Sequence, residues 1–156
     1  MPKEIERKYL VKPDLWRQHC VRKDTLRDGL ISHVMGRKVR IRVYNDTRAV
    51  LTLKGPRQGI SRDEFEYEIP TSDGLALLRD HCDGLVLEKT RHYIAHAGHE
   101  WIVDEYDGLL AGVILAEIEL PTEDTAFATP DWIDREVTGD PRYQKVNMLA
   151  DRLQEA

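Results

Sequence analysis

Ionic side chains two residues apart recur along this chain and are sorted by sign from one segment to the next. No other feature restricts the fold as much. Residues i and i+2 of an extended strand share a face. Glu4, Glu6 and Lys8 therefore point one way, as do Arg40 with Arg42, Glu64 with Glu66 and Glu68, Lys89 with Arg91, and Glu117 with Glu119. The residues between them are mostly apolar or aromatic: Val39, Ile41 and Val43; Phe65, Tyr67 and Ile69; Ala116, Ile118 and Leu120. An ordinary half-buried sheet also alternates, with its charged face in water. A solvated face has no reason to sort acids and bases by strand. A cavity that holds a polyanion together with divalent cations does.

At 156 residues the chain suits one domain with a full-sized core. With 41% hydrophobic and 33% charged residues it is globular and charge-rich rather than disordered. The net charge of −5 argues against nucleic-acid binding driven by bulk electrostatics, so any anion site must be a local concentration of Arg and Lys. Cys20 and Cys82 are too few for a disulfide framework. Placed in expected helices, they read as buried thiols of a reducing compartment. Glu4 and Glu6 interrupt any signal-peptide apolar region, and no apolar run approaches the roughly 20 residues of a membrane span. The expectation is a cytoplasmic protein.

Strands are expected over residues 3–11, 22–34, 37–45, 48–54, 63–69, 85–96, 100–107 and 113–120. Asn45-Asp46 marks a turn, Gly55-Pro56 and Pro70 stop strands, and residues 56–62 form a loop carrying Arg57 and Arg62. A short helix follows Pro13, and one of about ten residues is capped by Thr71 or Ser72 and stopped by Gly84. Short helices near 123–134 and a longer one over 141–155 complete the chain. About eight hairpin-connected strands with marginal helices predict an α+β fold whose antiparallel sheet closes into a barrel, because closure removes exposed edges. The helices carry apolar stripes (Leu75, Leu78; Val146, Leu149, Leu153) that need an apolar surface to cover. The arrangement that meets both demands turns the apolar sheet face outward and leaves the ionic face lining a wet interior.

Lys8, Arg40, Arg42, Lys54, Lys89 and Arg91 form the expected anion-binding set. Converging in one cavity, they would destabilise the fold unless an anion neutralised them, and two or three linked phosphates match their number. Singly, each reads as an ordinary surface cation; the pairing on several strands changes that. Glu4, Glu6, Glu64, Glu66, Asp104, Glu117 and Glu119 form the acidic set. Magnesium and manganese bind through one or two carboxylates together with substrate phosphates. Salt bridges to the neighbouring bases are the plainer reading of the same acids.

Other patterns carry less. His92, His96 and His99 have ligand-like spacing, but a turn at Gly98 would splay them. Lys54-Gly55-Pro56 lacks the Walker arrangement, and no Ser/His/Asp or Cys/His set supports nucleophilic catalysis. Trp16, Trp101 and Trp132 read as core or rim rather than as base-stacking platforms.

Glu4-Ile5-Glu6-Arg7-Lys8 resembles the ExExK signature of the CYTH domain, whose members are also called triphosphate tunnel metalloenzymes. The resemblance runs over nearly the whole chain. Val39-Arg40-Ile41-Arg42, Leu53-Lys54-Gly55, Glu64-Phe65-Glu66, Glu88-Lys89-Thr90-Arg91, Trp101-Ile102-Val103-Asp104 and Ala116-Glu117-Ile118-Glu119-Leu120 resemble successive family strands. Glu136-Val137-Thr138 with Tyr143 resembles the C-terminal signature of short bacterial members. Membership implies an eight-stranded antiparallel tunnel and metal-dependent cleavage of triphosphates, with Mg²⁺ or Mn²⁺ as cofactor. By the same resemblance the six cations bind the phosphate chain, and Glu4, Glu6, Asp104, Glu117 and Glu119 hold metal and position water. Lys8 beside these carboxylates is placed to assist proton transfer. Relatives often carry a tyrosine in a segment like Gln-Gly-Tyr-Leu; here the segment is Asp28-Gly29-Leu30-Ile31, so a tyrosine paired with Lys8 is not supplied from it.

Inorganic tripolyphosphate is the leading substrate expectation, since no base or sugar pocket is evident. A thiamine or nucleoside triphosphatase would need aromatic groups such as Trp16, Tyr44 or Trp132 at one tunnel mouth. An adenylate cyclase would need to hold a ribose hydroxyl against the α-phosphate. A non-catalytic polyphosphate-binding module gains little from so many acids. The expected partner is a small triphosphate, with no nucleic acid and no membrane, and a homodimer is compatible with the fold.

Overall fold

The strand β1 (Lys3–Val11) is the seam of the structure: along its length it pairs successively with three other strands. In the computed structural model, which describes residues 2–155, the remaining strands are β2 (Arg22–Val34), β3 (Arg37–Tyr44), β4 (Arg48–Lys54), β5 (Ser61–Ile69), β6 (Val86–His96), β7 (His99–Asp107), β8 (Ile114–Glu119) and β9 (Ile133–Glu136). Their order is β5-β4-β3-β2-β6-β7-β8-β1-β9, every described pairing is antiparallel, and β1 also pairs with β5. Eight strands thus close into a barrel, with Lys3–Ile5 opposite Asp63–Ser61 at the seam and β9 added outside.

Local chemistry sets the hairpins. Met35-Gly36 and Ala97-Gly98 join paired residues Val34/Arg37 and His96/His99 with both linking residues at positive φ, the two-residue turn that matches strand twist. Asn45 and Asp46 likewise take positive φ, and the Asn45 side chain accepts from the Thr25 amide at 2.8 Å, tying the β3–β4 turn to β2.

The apolar face points outward, as the alternation predicts. Helix α1 (Thr71–Asp80) lays Leu78, with Cys82 beyond its end, on Ile41, Val43 and Ala49. Its N-cap is Pro70 rather than Thr71 or Ser72. The Thr71 hydroxyl instead donates to the Thr47 carbonyl at 2.8 Å, pinning the helix start to the β3–β4 turn. On the far side, Trp16 and the 121–133 segment cover Tyr9, Ile94, Trp101, Val103 and Ile118. No helix forms over residues 123–134; Trp132 and Ile133 bury there while β9 pairs with β1, so the segment serves as a cover and an added strand. The first helix is only a 3-10 turn (Arg17–His19), leaving Cys20 partly exposed in coil and only Cys82 buried.

The last helix, α2 (Lys145–Glu155), follows a 3-10 turn over Pro141–Tyr143. Its Met148 and Leu149 join Leu87, Tyr106, Leu110, Leu115 and Val137, so α2 seals apolar residues at one end of the barrel. Among the described residues no helix is long and apolar enough to cross a membrane.

Candidate active site

Arg40 and Arg42 on β3, Lys54 on β4, Arg91 on β6, Glu4 and Glu6 on β1, Glu64 and Glu66 on β5, and Glu117 and Glu119 on β8 all line one interior chamber of about 190 Å³. Tyr44, Ile102 and Lys145 complete its wall. The strand alternation therefore converges from six strands on a space lined almost wholly by charge. Lys8 on β1 lies 4.0 Å from Glu117, its direct neighbour across the β1–β8 pairing, and lines the adjoining space with Glu6, Arg40 and Lys54 rather than this chamber.

Lys89 and Asp104 stand beneath the wall rather than on it. The Lys89 side chain has no exposure and donates to Asp104 at 2.8 Å, under the Tyr106 ring. Asp104 also accepts from Arg91 at 2.9 and 3.0 Å. Asp104 as arranged holds two cations in place. Asp28 does the same for Arg42, accepting at 2.7 and 2.8 Å, and lies 3.5 Å from Lys89. These braces orient the guanidinium planes before any ligand arrives.

Charge is polarised across the chamber. Glu6 stands opposite Glu119 in the β1–β8 ladder, a like-charge pairing that destabilises a bare sheet. Burial, then Glu117 and Glu4, push the Glu6 carboxyl up to about 7. Burial, with Glu4, Glu6 and Glu66, raises Glu119 as well. At the other end the excess is positive. Burial disfavours the Glu117 carboxylate, but Lys8 and Lys145 outweigh it and hold Glu117 well below its ordinary value. Burial and the nearby Lys89 and Lys8 push Lys145 down. One wall wants a cation and the other an anion, which is the demand a metal–polyphosphate complex would meet.

The acids fit a divalent cation. Glu4 Oε1 is buried with no hydrogen-bond partner, while Glu4 Oε2 accepts from Lys54 at 2.7 Å. Lys54 also lies 3.1 Å from Glu64, and Arg57 lies 3.4 Å from Glu6. No three His, Cys, Asp or Glu side chains among the described residues converge at coordinating distance. That spacing suits a hard cation that takes one or two carboxylates and completes its shell with phosphate oxygens and water.

Three site residues escaped sequence reasoning. Asp28 sat in a segment noted only for lacking a tyrosine; its register opposite Arg42 was the available signal. Lys145 arrives from a helix outside the barrel, and Arg57 from a loop, where strand alternation says nothing. Conversely, Trp16 and Trp132, weighed as mouth aromatics, are 0% and 3% exposed in the outer core; only Tyr44 of the three reaches the chamber. The histidines do not converge: His92 packs on Trp16 and His99 on Phe127.

Comparison with known proteins agrees with this geometry. Residues 2–150 match the CYTH domain family. The chain is 45% identical over 150 residues to an inorganic triphosphatase of Acetivibrio thermocellus, covering 96% of this chain and 94% of that protein. Among solved structures, an inorganic triphosphatase superposes with TM-score 0.64 at 32% identity, covering 94% of this chain and 97% of that one. A Hippeastrum protein, a candidate adenylyl cyclase with dominant triphosphatase activity, shares the fold at TM-score 0.56 and 16% identity, covering 78% and 80% of the two chains.

Proposed function

The chain belongs to the CYTH domain family, and on that premise we propose that it is an enzyme hydrolysing inorganic tripolyphosphate to pyrophosphate and phosphate. Similarity to an inorganic triphosphatase over nearly the full length supports the reaction. The observation that carries the reading is the chamber lining, ionic apart from Tyr44 and Ile102. Tripolyphosphate presents only phosphoryl oxygens, so such a lining can satisfy all of it, whereas a base or thiazole ring would face charge.

Arg40, Arg42 and Arg91 grip phosphoryl oxygens, the last two already held in plane by Asp28 and Asp104. Lys54 must share itself between Glu4, Glu64 and substrate. Lys8 and Lys145, at the positive end, face charge that grows on the leaving pyrophosphate. Glu6 and Glu119 are placed to accept hydrogen bonds from an attacking water. Family membership implies a divalent cation, and oxygen-only donors suit magnesium, with manganese the alternative. One or two carboxylates of the set Glu4, Glu6, Glu117 and Glu119 would hold it, with phosphoryl oxygens and water completing the shell, and it would supply neutralisation of phosphoryl charge. Glu64 and Glu66 line the same chamber from β5, and Asp104 serves it through Lys89 and Arg91.

The test is phosphate and pyrophosphate release from tripolyphosphate with Mg²⁺, compared with nucleoside and thiamine triphosphates. Glu4→Gln and Glu117→Gln are expected to abolish release while the circular dichroism spectrum is retained. Full activity in both variants would refute the acid assignment, and a preferred organic triphosphate would refute the substrate.

A further inference from the structure

The motif Glu136-Val137-Thr138 takes no part in the chemistry above, yet it grips the strand that does. Strand β1 changes partners at Lys8. Lys3, Glu4 and Ile5 lie opposite β5, and the Glu6 amide donates to the Ile60 carbonyl at 3.1 Å. The β9 pairing begins two residues later, with Tyr9 opposite Glu136. Lys8 falls between the two. Its carbonyl accepts from the Val137 amide at 2.8 Å. Its own amide donates to the Thr138 side-chain oxygen at 2.9 Å, in place of a strand carbonyl. A half-buried backbone amide needs such an acceptor.

The Thr138 hydroxyl donates to Glu136 at 2.7 Å rather than to the Lys8 carbonyl at 3.5 Å, which leaves its oxygen free to accept from Lys8. Glu136 in turn accepts from Arg7 through bonds of 2.6 and 2.8 Å. Two successive residues of β1 are thus clamped by residues 129 and 130 positions further along the chain. Thr138 shares a crevice of only about 30 Å³ with Lys8 and Glu6. It lines neither the chamber nor the adjoining space, so it reaches the site through Lys8. What the clamp fixes is the Lys8 backbone, and with it the reach of an ammonium that stands 4.0 Å from Glu117. A displacement of about 1 Å in a group aimed at developing charge can cost up to about a hundredfold in rate.

We propose that Thr138 is a positioning residue for catalysis: its side-chain oxygen holds the Lys8 amide, and so sets the Lys8 ammonium where the leaving pyrophosphate gains charge. The inference rests on the tripolyphosphatase reading and adds to it a residue from outside the chamber.

Thr138→Val keeps the branched shape and deletes the oxygen, whereas Thr138→Ser keeps the oxygen. On tripolyphosphate with Mg²⁺, Thr138→Val should lower kcat about tenfold with KM changed less than about twofold, and Thr138→Ser should recover most of the loss. In a Lys8→Ala background the same valine change should cost less than about twofold, because the group it positions is gone. An unchanged kcat, a loss confined to KM, no recovery by serine, or a full tenfold loss in the Lys8→Ala background would overturn the role. If the valine variant does not fold, Glu136→Gln, which loosens the hydroxyl from outside, takes its place with a loss of about threefold, and no loss there overturns the role. Hydrogen exchange at the Lys8 amide, in protein without substrate, should speed about tenfold in Thr138→Val and return to the wild-type rate in Thr138→Ser. If wild type fails to cleave tripolyphosphate, the function proposed above falls. The exchange then judges the clamp by itself, equal protection in wild type and Thr138→Val overturning it.

Discussion

Arg42 grips Asp28 through two parallel hydrogen bonds of 2.7 and 2.8 Å, both groups buried inside the barrel. Removing the acid leaves Arg42 unpaired and Lys89 with one acidic neighbour fewer. Asp28→Ala should therefore cost about 3–5 kcal/mol in urea unfolding, the usual loss when one partner of a buried pair is deleted. Tripolyphosphate should raise the melting temperature of this variant more than that of wild type, because the ligand supplies the missing counter-charge. Equal shifts would separate Arg42 from the anion site.

The same pair fixes a pH dependence. Burial raises the Asp28 carboxyl, but Arg42 and Lys89 outweigh it and hold it well below its ordinary value. A carboxylate depressed on folding adds stability that is complete above its unfolded pKa and lost as pH falls toward the folded value. The stability gap between wild type and Asp28→Asn should be flat from about pH 5 to 7 and narrow below about pH 4. A gap that widens in acid would have the wrong sign.

Helix α1 rests on the sheet through a glycine. A Cβ at Gly74 would overlap that of Ala49. Alanine raises helix propensity by up to about 1 kcal/mol, whereas overpacking costs about 1–3 kcal/mol. Gly74→Ala is thus expected to destabilise, and Ala49→Gly in the same chain to recover much of the loss, as thermal melts of the two single variants and the double variant would show. Additive losses would refute direct contact.

Lys145 sits crowded by Lys8 and Lys89 at the positive end of the chamber. Lys145→Ala should lower kcat/KM on tripolyphosphate about tenfold while leaving the melting temperature equal or higher, since relief of repulsion offsets lost packing. A coupled fall in activity and stability would make the residue structural.

Arg40, Arg42, Glu64, Glu66, Glu117 and Glu119 were legible because period-two alternation reports which side chains share a face, and sorting by sign reports what that face confronts. Lys89 and Asp104 were legible as interior but not as supports, since alternation gives a side and no depth. Lys145 and Arg57 lie on a helix and a loop whose docking is decided by tertiary packing. The 123–134 segment was misread as helical because no local pattern says that Trp132 will be drawn into the Trp101 cluster. Cys20 was misplaced for a related reason: the turn before it is too short to bury it.

The threefold partnership of β1 has a temporal consequence. The strand bearing Glu4, Glu6 and Lys8 is made before all of its neighbours, since β5, β8 and β9 lie at positions 61–136. Long sequence separation slows such pairings. That strand must therefore wait, unzipped, until β8 and β9 have been synthesised, and ribosome-stalled fragments ending before β8 should neither close the ring nor turn over substrate.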